Sequence, residues 1–296
     1  MNGALTDNTF SPKQALAPTP ELYNELASGG ADKVAMASLA CTAPIPAGSV
    51  VHDNGCGTGF SSAAILASLA DGVKPGDIAI KATDMSDDAL TAYRMAAEKR
   101  AADWPSTAWE TQQMDASNLT FADETFTHSF MSLVIFVLSN NGVDAMKHVY
   151  RTLKPGGTAI VNYWSDLPNL PALRAAAEAT RPSGTPRILD MMGDWFGPDK
   201  LRKTMEEAGF SPEKVSVQEV DIPIKLPDNS IDRFAFMLWS FLGGSTSAGW
   251  LRSDEERWDE AVGIVADKLR ASKGYKKLED GTEHLAFKAA ITVATK

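Results

Sequence analysis

The stretch Val50-Val-His-Asp-Asn-Gly-Cys-Gly-Thr-Gly-Phe60 determines the fold that we expect for this chain. Val50 and Val51 suit a buried parallel strand, and residues 61–70 have the small, apolar side chains of a helix that packs on such a strand. Three alternating glycines let the backbone turn tightly, and they let a ligand approach more closely than any Cβ would allow. Strand, turn and helix together predict a nucleotide-cofactor turn.

The spacing of the glycines separates two classes of cofactor. A dinucleotide turn has the spacing G-x-G-x-x-G, with glycine at the sixth position. Here the sixth residue is Phe60 when the count starts at Gly55, and Ser62 when it starts at Gly57. The alternative spacing D-x-G-x-G-x-G is matched at every fixed position, by Asp53, Gly55, Gly57 and Gly59. With this motif the chain resembles class I S-adenosylmethionine-dependent methyltransferases, in which the acidic residue lies near the ammonium group of the cofactor.

Acidic residues also follow the next two strands. Asp84 ends an apolar strand over residues 77–83, where a carboxylate can accept hydrogen bonds from both ribose hydroxyls of either class of cofactor. The resemblance implies that Asp115, after a strand over residues 109–113, takes the adenine amino group, with Met85 against the ring. The cofactor-binding residues that it implies are Tyr23, Asp53, Gly55, Cys56, Gly57, Gly59, Asp84, Met85, Met114, Asp115, Ala116 and Ser132.

Two further segments continue the pattern of alternating strands and helices. Residues 125–138 are a long apolar run that predicts a fourth strand. In residues 154–157, Lys-Pro-Gly-Gly predicts the end of a helix, with a fifth strand from Thr158; this turn also recurs in the family. We therefore expect an α/β fold with a doubly wound, seven-stranded, mostly parallel sheet in the family's order 3-2-1-4-5-7-6.

Composition limits the partners of this 296-residue chain. Lys and Arg number 28 against 38 Asp and Glu, and a net charge of −10 opposes the binding of a phosphate backbone. Two cysteines give no disulfide framework and no metal-ligand spacing. The first residues lack the pattern of a signal peptide, and no apolar run is long enough for a membrane span. We expect a cytoplasmic protein that acts on a small molecule and binds neither nucleic acid nor membranes.

The segments outside the pattern are expected to provide specificity. Residues 1–45 predict an N-terminal arm followed by helices. The resemblance implies that these helices close over the cofactor, with Tyr23 near its carboxylate; the alternative is a helix that only packs on the sheet edge. Residues 46–296 form the cofactor-binding domain, with substrate-cap insertions around 165–210 and 223–282.

Aromatic residues concentrate in these insertions, as a lidded apolar pocket would require, although each of them is also compatible with an ordinary core position. The candidates for substrate contact are Trp164, Trp195, Phe196, Phe236 and Trp239. Trp164 directly after the fifth strand, in an acidic chain of this size, resembles the methyltransferases of microbial, especially fungal, secondary metabolism.

The chemistry that the resemblance implies needs few catalytic groups. A sulfonium carries an activated methyl group, so alignment of an acceptor for in-line displacement supplies most of the catalysis. For a hydroxyl acceptor, His128 and Tyr163 are the candidate bases, whereas a thiolate or neutral amine needs none. No metal cluster is evident. The acceptor atom, which is oxygen, nitrogen, sulfur or carbon, and the oligomeric state stay open.

Two other functions remain open at this point. One is a regulatory protein with the methyltransferase fold that binds S-adenosylmethionine without turnover. The other is a nucleotide-dependent oxidoreductase, which the spacing of Asp53 and the three glycines disfavours.

Overall fold

The computed structural model describes residues 10–17, 19–27, 29–190, 197 and 199–296. The helices are α1 Pro20–Ala27, α2 Gly30–Ala40, α3 Phe60–Ala67, α4 Asp87–Lys99, α5 Val143–Thr152, α6 Asn169–Thr180, α7 Asp199–Glu207, α8 Ile231–Leu242, α9 Arg252–Glu256 and α10 Trp258–Arg270. The strands are β1 Val50–Asn54, β2 Ala79–Asp84, β3 Trp109–Gln113, β4 Phe126–Ser132, β5 Leu153–Asp166, β6 Val215–Lys225, β7 Tyr275–Lys277 and β8 Glu283–Thr295.

The sheet has the order β3-β2-β1-β4-β5-β8-β6, and β7 pairs only with β8. Strands β1 to β5 pair in parallel, with Val51 opposite Ile80 on one side and opposite His128 on the other. Parallel neighbours require crossover connections, and α3, α4 and α5 lie in those connections. The α/β class and the doubly wound arrangement expected from the sequence are therefore confirmed.

The sheet contains eight strands, one more than the seven expected from the sequence. The additional strand is β7, whose Tyr275 pairs antiparallel with Leu285 of β8. A tight turn makes this pairing possible, because Gly281 has a φ of 81° and the Leu278 N–H donates to the Thr282 carbonyl at 2.8 Å. The long strand between β5 and β6, which is number 7 in the expected order, is therefore β8 in this structure. A three-residue polar strand has no alternation of apolar residues from which it could have been predicted.

Neighbouring residues of the central strands point to opposite faces of the sheet, and each face has its own core. Phe130 of β4 and Ile160 of β5 pack with residues of α2, α3 and α4. Met131 and Val161, one position further along, pack with residues of α5 and α7. This period of two explains the nearly continuous apolar runs of β4 and β5, because both faces of these strands are buried.

The chain divides into two compact units. The sheet unit comprises Ala31–Ser165, Trp195–Val220 and Lys288–Lys296. The helical unit comprises Met1–Gly30, Asp166–Asp194 and Asp221–Phe287. In the helical unit, α10 packs against α6 and α8. Trp239 of α8 and Trp258 of α10 are fully buried there, and each contacts the ring of Trp250, at centroid distances of 6.0 and 5.8 Å.

Two predicted boundaries differ from the structure for local reasons. The fourth strand ends at Ser132, not at residue 138, because Leu133 adopts a φ of 58° that no strand continues. The Lys154–Gly157 turn does not cap a helix, since α5 already ends at Thr152. The turn instead belongs to β5 and pairs with the last residue, where the Gly156 N–H donates to the Lys296 carbonyl at 3.1 Å.

Candidate functional site

The glycine loop after β1 is held by the end of β2. The N–H groups of Gly55 and Cys56 both donate to the carbonyl of Thr83, at 2.8 and 2.9 Å. The Gly59 N–H then donates to the Cys56 carbonyl at 2.9 Å, which closes the turn directly before α3. These backbone hydrogen bonds give the loop one defined path at the carboxyl edge of the parallel sheet, where ligands of doubly wound folds bind.

The three glycines of the loop have different local surroundings. All have a positive φ: 76° at Gly55, 52° at Gly57 and 90° at Gly59. A Cβ on Gly55 would lie 2.6 Å from a methyl group of Val134, and one on Gly59 would lie 2.7 Å from the ring of Trp104. A Cβ on Gly57 would meet no atom within 4 Å. Gly55 and Gly59 therefore allow close packing, whereas Gly57 turns the chain beside open space that a ligand can fill.

Asp84 ends β2 beside this loop. Its Oδ2 accepts a hydrogen bond from the Gly57 N–H at 3.0 Å, and its Oδ1 accepts one from the Ser86 N–H at 2.9 Å. The side chain is only partly buried. Each carboxylate oxygen can accept a second hydrogen bond, so the group is oriented and still able to bind ligand hydroxyls.

The segment after β3 lies against the end of β2. The Met114 N–H donates to the Asp84 carbonyl at 3.0 Å, and the side-chain amide of Gln113 donates to the Met85 carbonyl at 2.9 Å. Met85 is 72% exposed, which is unusual for a large apolar side chain and leaves it available to a flat ligand. Asp115 is exposed and accepts from the Ser117 N–H at 2.7 Å. Met114 and Ala116 are buried.

Asp53 belongs to β1, directly before the glycine loop, and is fully buried. Its Oδ2 accepts from the Ser62 hydroxyl at 2.6 Å, and the Ser62 oxygen accepts from the Tyr93 hydroxyl at 2.9 Å. Burial raises the pKa of Asp53 to about 7, against the opposing effect of the Ser62 hydrogen bonds. Asp53 Oδ1 and both amide atoms of Asn54 are buried without hydrogen-bond partners in the described part of the chain. The end of β1 thus carries unused polar groups, as a site for a polar cofactor would.

Cys56 contributes its backbone to the loop. Its side chain is fully buried, and burial raises the pKa of the thiol, with smaller contributions in the same direction from Asp53 and Asp84. A thiol in this environment stays protonated at neutral pH and is a poor nucleophile.

Ser132 belongs to a buried polar network that sequence reasoning did not find. The Ser132 hydroxyl donates to the side-chain oxygen of Asn162 at 3.0 Å, and the Leu133 N–H donates to the same oxygen at 3.1 Å. The Asn162 amide in turn donates to the hydroxyl of Ser38 in α2 at 2.8 Å. The network holds Leu133 at its positive φ, directly before Val134, which packs against Gly55. The available signal was a single asparagine inside the apolar run of β5.

The two candidate bases are partly buried, in the case of His128, and fully buried, in the case of Tyr163. His128 pairs with Val51, near the start of β1 and three residues before its end, and burial lowers the pKa of the imidazole. Tyr163 is 1% exposed and its hydroxyl donates to the Gly197 carbonyl. Burial raises the pKa of Tyr163 to about 12, so the phenolate is not populated at neutral pH.

The aromatic candidates for substrate contact are distributed over the two units. Trp164 is partly buried at the end of β5 in the sheet unit. Phe236 contacts the Trp258 ring edge-on at 5.7 Å, and Trp239 is a fully buried core residue, both within the helical unit. Trp195 and Phe196 lie outside the described residues. Tyr23 is part of α1, and its side chain also lies outside them.

The part of the chain that the structure describes contains no group of three or more His, Cys, Asp or Glu side chains that could hold a metal ion. Among the described helices, none has the length and apolar character needed to cross a membrane.

Comparison with known proteins agrees with the geometry of the loop. Residues 52–161 match a family model described as a methyltransferase domain. Acetylaranotin bis-thiomethyltransferase of Aspergillus terreus is 25% identical over 188 residues, which cover 62% of this chain and 61% of that protein. Methyltransferase ktnA of Aspergillus niger is 25% identical over 199 residues, which cover 60% of this chain and 64% of that protein. The alignments thus span less than two thirds of either relative.

Solved structures show the same fold. The YcgJ protein of Bacillus subtilis matches with a TM-score of 0.55 and 14% identity, over 89% of this chain and 98% of that one. At this identity the likeness concerns the fold alone.

Proposed function

We propose that this chain, whose residues 52–161 match a methyltransferase domain, is a class I S-adenosylmethionine-dependent methyltransferase that transfers a methyl group from S-adenosylmethionine to a small-molecule acceptor. The observation that carries the proposal is the hydrogen bond between the Gly57 N–H and the Asp84 carboxylate at the carboxyl edge of a parallel sheet. It orients the carboxylate beside a glycine that faces open space.

The residues around this pair fit the parts of the cofactor. The glycine loop and the unused polar atoms of Asp53 and Asn54 would hold the methionine end. Asp84 would accept hydrogen bonds from the ribose hydroxyls. Exposed Met85 would cover the adenine ring, and Asp115 would accept from its amino group. Of the other predicted cofactor residues, Cys56 would contribute only its backbone.

Ser132 and Ala116 would act in another way. Both are buried, and Ser132 uses its hydroxyl to bind Asn162. We therefore assign them to the wall of the site and not to polar contact with the cofactor.

The bound cofactor supplies a methyl group on a positively charged sulfur, activated for displacement. The protein has to hold the acceptor in line with that methyl group, and such positioning contributes about 7–11 kcal/mol in favourable cases. The carboxylates of Asp84, beside the glycine loop, and Asp115, after β3, favour a cationic cofactor.

We further propose a thiol as the acceptor to test first. One relative is named a bis-thiomethyltransferase. A thiol ionises near neutral pH without help, whereas a phenol or alcohol gains from a base. His128 lies beside Val51 near the start of β1, away from the glycine loop, and Tyr163 uses its hydroxyl to bind the Gly197 carbonyl. A thiol acceptor is thus compatible with the groups that the structure offers.

Transfer to matched acceptors tests the proposal. The purified protein is incubated with S-adenosylmethionine and thiophenol, phenol or aniline, and methylated products are measured by mass spectrometry. We expect methyl thioether from thiophenol, loss of product with Asp84→Asn, and normal product with Asp71→Asn, a change at an exposed turn residue. Binding of S-adenosylmethionine without transfer to any acceptor would favour the regulatory alternative and contradict the enzymatic proposal.

A further inference from the structure

The helical unit contains a cavity of about 440 Å³, which is built from residues of that unit alone. Along one wall, Arg174, Ala177, Glu178 and Arg181 follow the spacing i, i+3, i+4, i+7, which places them on one face of α6 and its C-terminal cap. The opposite wall is the loop of residues 182–188. A cavity of this size can enclose a small organic molecule.

The arginines of this cavity have unused hydrogen-bonding capacity. Arg181 binds Asp254 through two hydrogen bonds, at 2.7 and 2.9 Å, and donates to the Gly243 carbonyl at 2.7 Å. Its Nη1 is buried and has no hydrogen-bond partner among the described residues. Burying such a donor costs free energy unless a ligand or water satisfies it.

Arg174 and Arg187 supply positive charge that no described carboxylate neutralises. Arg174 donates through Nε to the Ile188 carbonyl at 3.1 Å and through Nη2 to the Leu189 carbonyl at 3.4 Å, which fixes the guanidinium beside the cavity. Arg187 is exposed at the loop. Glu178 is the one acidic residue among those that line the cavity, and it forms no ion pair in the described structure. A concentration of arginine is notable in a chain with a net charge of −10.

We propose that this cavity binds a small organic carboxylate. Guanidinium groups match the two oxygens of a carboxylate, and Arg174 and Arg187 provide the free charge while Arg181 provides the unused donor. The volume exceeds the need of an inorganic anion, and the side chains of Ala177, Pro182 and Pro186 give an apolar surface for a carbon skeleton. The residues that line this cavity include none of those that we assign to S-adenosylmethionine.

Fluorine NMR with 4-fluorobenzoate as the probe tests the site in the full chain. We expect saturable broadening of the probe signal by the wild-type protein, and little broadening of 4-fluorobenzamide, which has the same shape without the charge. Arg187→Gln should weaken binding about tenfold, the effect of losing one charge-assisted hydrogen bond. Arg174→Gln should weaken it as well, whereas Arg100→Gln, at an exposed arginine of the sheet unit, should not.

Four results would overturn the proposal. Three are no saturable broadening by the wild-type protein, equal binding of the benzamide, and unchanged binding in Arg187→Gln, whose exposed position leaves folding intact. The fourth is displacement of the probe by S-adenosylhomocysteine, since the probe would then occupy the cofactor site. None of these results bears on methyl transfer, which is measured separately.

Discussion

The backbone N–H of Gly57 donates to Oδ2 of Asp84 at 3.0 Å, so the carboxylate that ends β2 holds the turn that follows β1. Its other oxygen accepts from the Ser86 N–H, the N-terminal cap of α4. Loop, strand end and helix start are thereby fixed relative to one another before any cofactor binds. Such pre-organisation lowers the entropic cost of binding.

The glycines of the loop should separate folding from cofactor binding. Gly57→Ala places an alanine at a φ of 52°, with no atom near its Cβ, and should lower the free energy of unfolding by about 1–2 kcal/mol. Gly55→Ala adds a contact of 2.6 Å with Val134 and should cost about 1–3 kcal/mol more. Urea denaturation measures both. Titration with S-adenosylmethionine should show weaker binding by folded Gly57→Ala; wild-type affinity in this variant would contradict the role given to the open space.

Asp53 should make stability depend on pH. Its pKa of about 7 lies above the ordinary value of 3.8. At a pH between these two values, the folded state therefore keeps a proton on Asp53 that the unfolded state has lost. The stability that this proton contributes is present below pH 4 and is lost as the pH rises through 7. Relative to Asp53→Asn, the wild-type free energy of unfolding should fall by about 1.4 kcal/mol per pH unit in this window. A constant difference from pH 4 to 8 would contradict it.

The same carboxyl group should link cofactor binding to pH. A cationic cofactor favours the ionised form of Asp53, whereas the negative charge of neighbouring Asp84 opposes it. The other neighbours, Tyr93 and Cys56, stay neutral in this pH range. The affinity of the wild-type protein for S-adenosylmethionine should therefore rise with pH up to about 7 and then level off. In Asp53→Asn the affinity should be independent of pH over this range, as measured by calorimetry. An equal pH dependence in the two proteins would assign it to another group.

Asn162 should matter for both stability and the cofactor loop. Asn162→Leu leaves the Ser132 hydroxyl and part of the Leu133 N–H bonding unsatisfied, and should cost about 2–4 kcal/mol in urea denaturation. Ser38→Ala removes one acceptor from the far end of the network and should cost about 1 kcal/mol. The double variant should be less destabilised than the sum, because the two side chains interact. Strictly additive effects would show that the network is not coupled.

The buried pair of Arg181 and Asp254 should be sensitive to the loss of one partner. Their side chains are 1% and 0% exposed, so Asp254→Asn leaves an unneutralised cation and should cost about 3–5 kcal/mol. The double variant Arg181→Met with Asp254→Asn should be more stable than Asp254→Asn alone. Glu260→Gln, which breaks the exposed pair with Arg257, is the matched control and should leave the unfolding midpoint unchanged. A small effect of Asp254→Asn would mean that water reaches the pair.

The sequence predicted the sheet because its signals are local. Buried parallel strands require apolar runs, and the turn after β1 requires glycine at each positive φ. Both features can therefore be predicted from a few consecutive residues. Even the positions of Asp84 and Asp115 follow from the ends of strands. The order of the long strands was predicted through the resemblance, and only the short polar strand β7 was missed.

Other features depend on contacts between distant residues and could not be read from a pattern. The network of Asn162 joins residues 124 positions apart, and Arg181 finds Asp254 73 positions away. Trp239 was a candidate for substrate contact, yet it is a core residue, because the aromatic side chains of the helical unit pack against one another. Aromatic content indicates burial but does not distinguish a core from a pocket.

Calorimetric titration of the purified protein with S-adenosylmethionine tests the central claim most directly. We predict saturable binding in the micromolar range, roughly −8 kcal/mol, which Asp84→Asn weakens at least about tenfold and Asp71→Asn leaves unchanged. The absence of binding by a folded wild-type protein, or binding of NAD in place of S-adenosylmethionine, would contradict the claim.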